Sequence, residues 1–193
     1  MSRTPNTPEA DASALERLLN REIAEADLCA AALDAANPAE TGERGRVGVV
    51  LFGLEGERLA LPAKVVRRVT AYSAPVRIPN RTAGVLRGVC NVRGELLLCG
   101  DLRRLLGLAE RGGTNEQESL RTMVIGPASA SWAFEVDALY GIGRIDASKV
   151  SAAPLTVEHA LGAFVTGLTE VDGRGVTLLD GERILGGFKA GLV

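Results

Sequence analysis

The chain holds one histidine, one tryptophan, two tyrosines, four phenylalanines and three cysteines among 193 residues. Each scarcity removes a class of function. With His159 alone, a two-histidine metal site cannot be assembled. A Ser-His-Asp arrangement would hang on that one residue, in a Glu-His-Ala-Leu stretch patterned like a helix surface. Cys29, Cys90 and Cys99 are odd in number and lack CxxC spacing, so reduced, partly buried thiols are expected rather than a disulfide framework. No run approaches the ~20 apolar residues of a membrane span, and Met1 to Ala10 lacks the apolar core of a signal peptide, which predicts a cytoplasmic location without direct membrane insertion. A net charge of −2 supplies no global attraction to nucleic acid or anionic lipid. The patterns Gly53-Leu54-Glu55-Gly56 and Gly141-Ile142-Gly143 lack the context of a phosphate loop and read as turns or bulges. No catalytic residue, metal or cofactor is therefore assigned, and the chain is expected not to be an enzyme.

Glycine, by contrast, is plentiful at 23 residues, the mark of a chain rich in tight turns. The first 46 residues carry nine acidic and five basic side chains (net −4), leaving fifteen acidic and seventeen basic (net +2) for the rest. A boundary falls near Gly45, dividing an N-terminal extension (1–45) from the main domain (46–193). In the extension, Leu15, Leu18, Leu19, Ile23, Ala26 and Ala30 recur at three- and four-residue steps behind a Ser13/Glu16 capping box, predicting an amphipathic helix over about 13–36.

From Val47 onward, short apolar runs alternate with Gly, Pro and Asp, as in a barrel or sandwich. Ten strands are expected: 47–54, 58–61, 65–71, 85–92, 95–99, 122–125, 132–136, 142–145, 163–171 and 176–179. Short helices over 102–106 and 182–188 each follow an aspartate suited to N-capping, Asp101 and Asp180. An internal repeat strengthens this reading. Laid on 167–186 at an offset of 79, residues 88–107 are identical at seven of twenty positions, pairing Gly88, Val92, Gly94, Asp101, Arg104, Leu106 and Gly107 with Gly167, Val171, Gly173, Asp180, Arg183, Leu185 and Gly186. Each copy reads as strand, glycine turn, strand, cap and helix, so two similar sub-barrels are expected.

Lys64 to Arg104 is locally basic, with nine cations against Glu95 and Asp101, which suggests an acidic partner. A nucleic-acid-binding barrel is the competing use, but Tyr72 is the only aromatic there to stack a base. Within the stretch, Val92-Arg93-Gly94-Glu95 reads as a two-residue hairpin that sets Cys90 opposite Leu97 and Cys99 opposite Gly88. Arg93 would project a five-donor fork from a stiff ribbon, suited to carboxylates or carbonyls on another protein.

Gly88-Val89-Cys90-Asn91-Val92-Arg93-Gly94, an apolar strand, and Asp101-Leu102-Arg103 resemble the Asn-x-Arg-Gly…Asp-Leu signature of CheW domains. Val49 to Phe52, Leu61-Pro62 to Val69, Ile78-Pro79 and Phe134-Glu135-Val136-Asp137 fall in the same order, so the resemblance runs from Arg46 to Val193. It implies a mainly β fold of two SH3-like five-stranded barrels. It also implies a non-catalytic chemotaxis adaptor that bridges the cytoplasmic tip of a methyl-accepting chemoreceptor and the regulatory domain of a CheA-type histidine kinase. By the same resemblance, Asn91, Arg93 and Gly94 match the family's binding surface, and Val66 with Arg68 match the strand presented to the kinase. Leu98 stands where the family often has proline, and Arg68 where an acidic residue is common. The run Val92 to Cys99 is similar to the Wsp branch, whose adaptors serve surface-sensing arrays and carry N-terminal extensions.

Overall fold

Hairpins dominate the architecture because X-Gly pairs recur where alternating strands must reverse. Glu55-Gly56, Arg93-Gly94 and Asp172-Gly173 all have positive φ at both residues (51° and 81°, 52° and 86°, 53° and 73°). That is the turn whose twist matches a two-residue β-hairpin. The computed structural model describes residues 45–79, 84–108, 120–152 and 159–192. The expected N-terminal helix and Cys29 lie outside these.

Strands β1 (Arg46–Leu54), β2 (Glu57–Pro62), β3 (Val66–Ala71), β4 (Leu86–Val92) and β5 (Glu95–Gly100) lead to helix α1 (Leu102–Leu106). Then come β6 (Arg121–Ile125), β7 (Trp132–Val136), β8 (Ala138–Asp146), helix α2 (His159–Gly162), β9 (Val165–Val171), β10 (Arg174–Leu179) and helix α3 (Gly181–Ala190). Asp101 caps α1 by accepting from the Arg104 amide, and Asp180 caps α3 by accepting from the Glu182 and Arg183 amides. Gly107, in the left-handed region, ends α1, whereas its copy Gly186 lies inside α3, which runs on to Ala190.

Two five-stranded sheets form, ordered β8-β1-β2-β10-β9 and β3-β6-β7-β5-β4. Each is closed into a barrel by one two-bond bridge beyond its strands: Val76 with Val89 in the second, Ser151 with Leu168 in the first. Gly88 and its copy Gly167 lie beside these closures. A Cβ on Gly88 would strike the Val76 carbonyl, and one on Gly167 would strike Val150 and Ser151. Arg104 donates to the Gly84 carbonyl (3.0 Å) and its copy Arg183 to the Ala163 carbonyl (3.1 Å), again 79 residues apart. The repeated residues thus do equivalent work in the two barrels.

The sequence repeats and the barrels nevertheless differ in composition. The parallel neighbour of β5 is β7, from the following half of the chain, while the parallel neighbour of β10 is β2, from its beginning. The second barrel is therefore continuous in sequence, and the first is made from both ends of the domain around it.

Small cores fill each barrel: Cys90, Val92, Leu97, Cys99, Val124 and Ala133 in the second, and Val49, Ala60, Ile145, Val176 and Leu178 in the first. The larger core lies between them, where Phe134 packs on Phe52 and on Phe188, and Phe188 stacks on Trp132 at 5.2 Å. Fully burying each phenylalanine contributes about 1.5–3 kcal/mol.

Beside this core, Arg103 of α1 reaches three carboxylates. Its Nε donates to Glu55 Oε1 (2.5 Å), Nη1 to Glu135 Oε1 (2.9 Å) and Nη2 to Asp137 Oδ1. Glu55 sits on the β1–β2 turn of the first barrel, so the guanidinium ties the barrels together. Burial works against its charge, but Asp137 and Glu135 prevail and raise its pKa. Arg87 adds a second cation on Glu135 at 3.1 Å. Arg103→Met should lower stability to denaturant by about 3–5 kcal/mol, because partly buried carboxylates lose their shared counter-charge; a loss below about 1 kcal/mol would show the clamp to be dispensable. Gly88→Ala should cost about 2 kcal/mol or more in the same urea titration, since the second barrel cannot close without moving Val76.

Candidate functional site

The β4–β5 hairpin follows the register expected from its turn, with Val92 opposite Glu95, Asn91 opposite Leu96 and Cys90 opposite Leu97. Asn91 Oδ1 accepts from the Gly94 amide at 2.8 Å, bracing the turn from within. Ser73, after β3, donates its hydroxyl to the Asn91 carbonyl (2.8 Å) while its amide donates to Thr122 Oγ1 (2.9 Å). The tip is thereby fixed to the barrel wall. Asn91, Arg93 and Gly94 are all exposed, and Arg93 makes no hydrogen bond or ion pair among the described residues.

Strand β3 brings the other expected residues alongside. Its pairing with β6 shifts between Val66 and Arg68, a bulge that lets both Val66 and Val69 point inward. Val66, expected at the binding surface, is 6% exposed and packs in the core between the barrels. The outward position falls to Arg67, which donates to Glu95 Oε1 (2.8 Å) and to Ser131 Oγ (3.2 Å). Arg68 is half-buried. Arg67, Arg68, Val92, Glu95, Leu97 and Val124 meet beside the hairpin tip and leave no space between them large enough for a water molecule.

Arg67, Glu95 and Leu96 were not singled out from the sequence. For Arg67 the available signal was the Val66-Arg67-Arg68-Val69 spacing, which strict alternation cannot bury at both ends. Leu96 is 73% exposed across from Asn91, a consequence of an unbroken leucine run in a strand with only one buried face there.

Electrostatics sharpen the picture. The hydrogen bond from Arg67 holds the Glu95 carboxyl below its ordinary range. Of the nine cations in the basic stretch, Arg67, Arg87 and Arg103 are engaged by carboxylates of the same chain. Tyr72 is directed to Glu135, and its phenol is raised by burial and then by that charge. Cys90 and Cys99 are buried free thiols, and the hydrogen bond between them, with burial, pushes the Cys99 thiol well up. Among the described residues, no group of three or more His, Cys, Asp or Glu side chains is arranged to hold a metal, and no helix is long and apolar enough to cross a membrane.

Residues 48–188 match the family described as the CheW-like domain. The chain belongs to the CheW-like domain family. In fold it is similar to the crystal structure of the scaffolding protein TtCheW from Thermoanaerobacter tengcongensis, with a TM-score of 0.58 at 24% identity, over 69% of this chain and 88% of TtCheW. No curated protein matches it. The two barrels expected from the hairpin repeat are thus the two barrels of a CheW-like domain.

In the CheW-like fold Glu95 belongs to the tip of the signature hairpin, so its titration reports on the site. A carboxylate with a depressed pKa contributes stability above its ordinary pKa and loses it as pH falls through the lowered value. The Glu95 carboxyl followed by NMR should titrate below the ordinary glutamate range and return to that range in Arg67→Ala; an unchanged midpoint would break the assignment of the pair.

Proposed function

We propose that this adaptor couples the cytoplasmic tip of a methyl-accepting chemoreceptor to the CheW-like regulatory domain of a CheA-type histidine kinase. Its braced hairpin tip is the contact. The observation that carries the reading is Arg93: a guanidinium on a two-residue turn, held from behind by Asn91 and Ser73, with every donor open to a partner. Such a group loses little conformational freedom when it binds, and its planar fork suits carboxylates and backbone carbonyls.

The repeated hairpin supports a bridging role. Asp172 and Gly173 form the same turn at the tip of β9–β10, so one scaffold is offered twice with opposite charge, in different barrels. Two surfaces of unlike charge suit two unlike partners. The basic stretch, with three of its cations already engaged and its tyrosine directed to Glu135, lends little support to nucleic-acid binding.

Arg93→Ala should weaken binding to the kinase regulatory domain or to the receptor tip roughly tenfold, in the range of an exposed arginine at an interface centre. The unfolding midpoint should hold to within about 0.5 kcal/mol, because the side chain contributes nothing to the core. Unaltered affinity for both partners in a biosensor assay would refute the role of the tip.

A further inference from the structure

We infer that the apolar strip on the outer face of the β4–β5 hairpin is a docking site for the chain's own N-terminal extension, whose acidic amphipathic segment over 13–36 shields the Arg93 tip until a partner displaces it. The docking stands on the sequence and the surface; the displacement rests on the adaptor reading above.

Cross-strand partners in a sheet point to the same side. Val76 bridges Val89, Val89 pairs with Leu98, and Asn91 pairs with Leu96 one row nearer the tip. Cys90, Leu97 and Cys99 of the same two strands fill the barrel, so Val76, Val89, Leu96 and Leu98 look outward. Leu98 pairs in turn with Trp132 and packs on the core between the barrels, which makes the strip a surface continuation of that core. Its outer members, Val76 and Leu96, are 72% and 73% exposed, the most exposed large hydrophobic side chains among the described residues. Arg77 beside Val76 and Arg93 at the tip are exposed, and neither makes a hydrogen bond or ion pair among the described residues. An apolar strip flanked by unused cations is complemented by an apolar stripe flanked by carboxylates.

The extension carries such a stripe. At about 100° per residue, Leu15, Leu18, Leu19 and Ile23 of the predicted helix share one face. Glu16 and Asp27 border that face on one side and Glu25 on the other, while Arg17 and Arg21 fall opposite. Glu22 lies within the stripe, beside Leu18 and Leu19, which suits a strip that ends in the Arg93 guanidinium. Through Arg46 the net charge is −4, against +2 for the rest of the chain. Reach is ample. Residues 37–44 span up to about 27 Å when extended, and a helix over 13–36 adds about 36 Å, against a radius of gyration of about 15 Å for a domain of this size. A segment tethered this closely acts at roughly millimolar effective concentration, so even weak docking shields the tip.

The test uses the full chain with Asn20→Cys, on the polar face of the predicted helix, and Cys29→Ser. Cys90 and Cys99 are buried, so a thiol-reactive nitroxide attaches at position 20. In NMR spectra the label should broaden the amide signals of Val76, Gly94 and Leu96 and leave Gly173, at the other hairpin tip, sharp. The broadening should persist on dilution, vanish in Leu19→Glu and in Leu96→Glu, and survive in Leu96→Met, whose exposed position leaves the fold intact. Sharp signals along the strip overturn the docking, and broadening that fades on dilution overturns it in favour of a second copy of the chain. The partner domain whose binding Arg93→Ala weakens should bind Leu19→Glu about three- to tenfold more tightly than wild type, the factor for a tip shielded about 70–90% of the time. Equal affinity overturns the shielding. If neither wild type nor Leu19→Glu binds the kinase domain or the receptor tip while the broadening persists, the adaptor reading falls and the docking stands.

Discussion

One guanidinium decides how the two barrels meet. Arg103 leaves a short capped helix and spends its planar face on three carboxylates, one from the first barrel's β1–β2 turn and two from the end of β7 and the residue after it in the second. Each of these charges would be costly to withdraw from water alone, and together they satisfy one another. Because the fork is rigid, the angle between the barrels is set as firmly as their separation. The aromatic core around Phe134 and Phe188 packs against that fixed frame. Two landmarks of the family resemblance, Asp101-Leu102-Arg103 and Phe134-Glu135-Val136-Asp137, turn out to be halves of one cluster.

Strands, turns and caps were legible in the sequence because each is a local matter. Alternation located all ten strands, and the Asp101 and Asp180 caps began α1 and α3 where they were expected. The start of β8 was missed: Ala138 to Gly141 combine a glycine at φ 115° with a tyrosine laid over Gly53 and under Arg58, a pattern without alternation. Strand exchange was invisible for a different reason. The parallel pairings of β2 with β10 and β5 with β7 join residues far apart in the chain, and no short-range pattern encodes such a choice. At the site, the hairpin tip was readable from Arg93-Gly94 alone. The inward turn of Val66 and the pairing of Arg67 with Glu95 depend on a bulge, which exists only once β6 lies alongside.

The hairpin is stiff where an adaptor needs stiffness. Its turn is set by φ, its amide by Asn91, and its flank by Ser73, so Arg93 is presented rather than found by search. The second copy keeps the turn but replaces Asn91 by Glu170 and Arg93 by Asp172. The two copies thus keep one turn geometry and carry opposite charge at their tips.

The nesting of one barrel inside the other also sets an order of birth. During synthesis, β3 to β7 emerge together and hold every strand that the signature barrel requires. The β1–β2 hairpin emerges before them yet waits for β8 and β10 before it has neighbours, leaving an apolar ribbon open until those strands are made. Helix α3, the last of the described elements, delivers Phe188 to the middle of the shared core. Helix α3 thus acts as the latch of the whole domain, and the barrel carrying the signature hairpin is built before the frame that locks it in place.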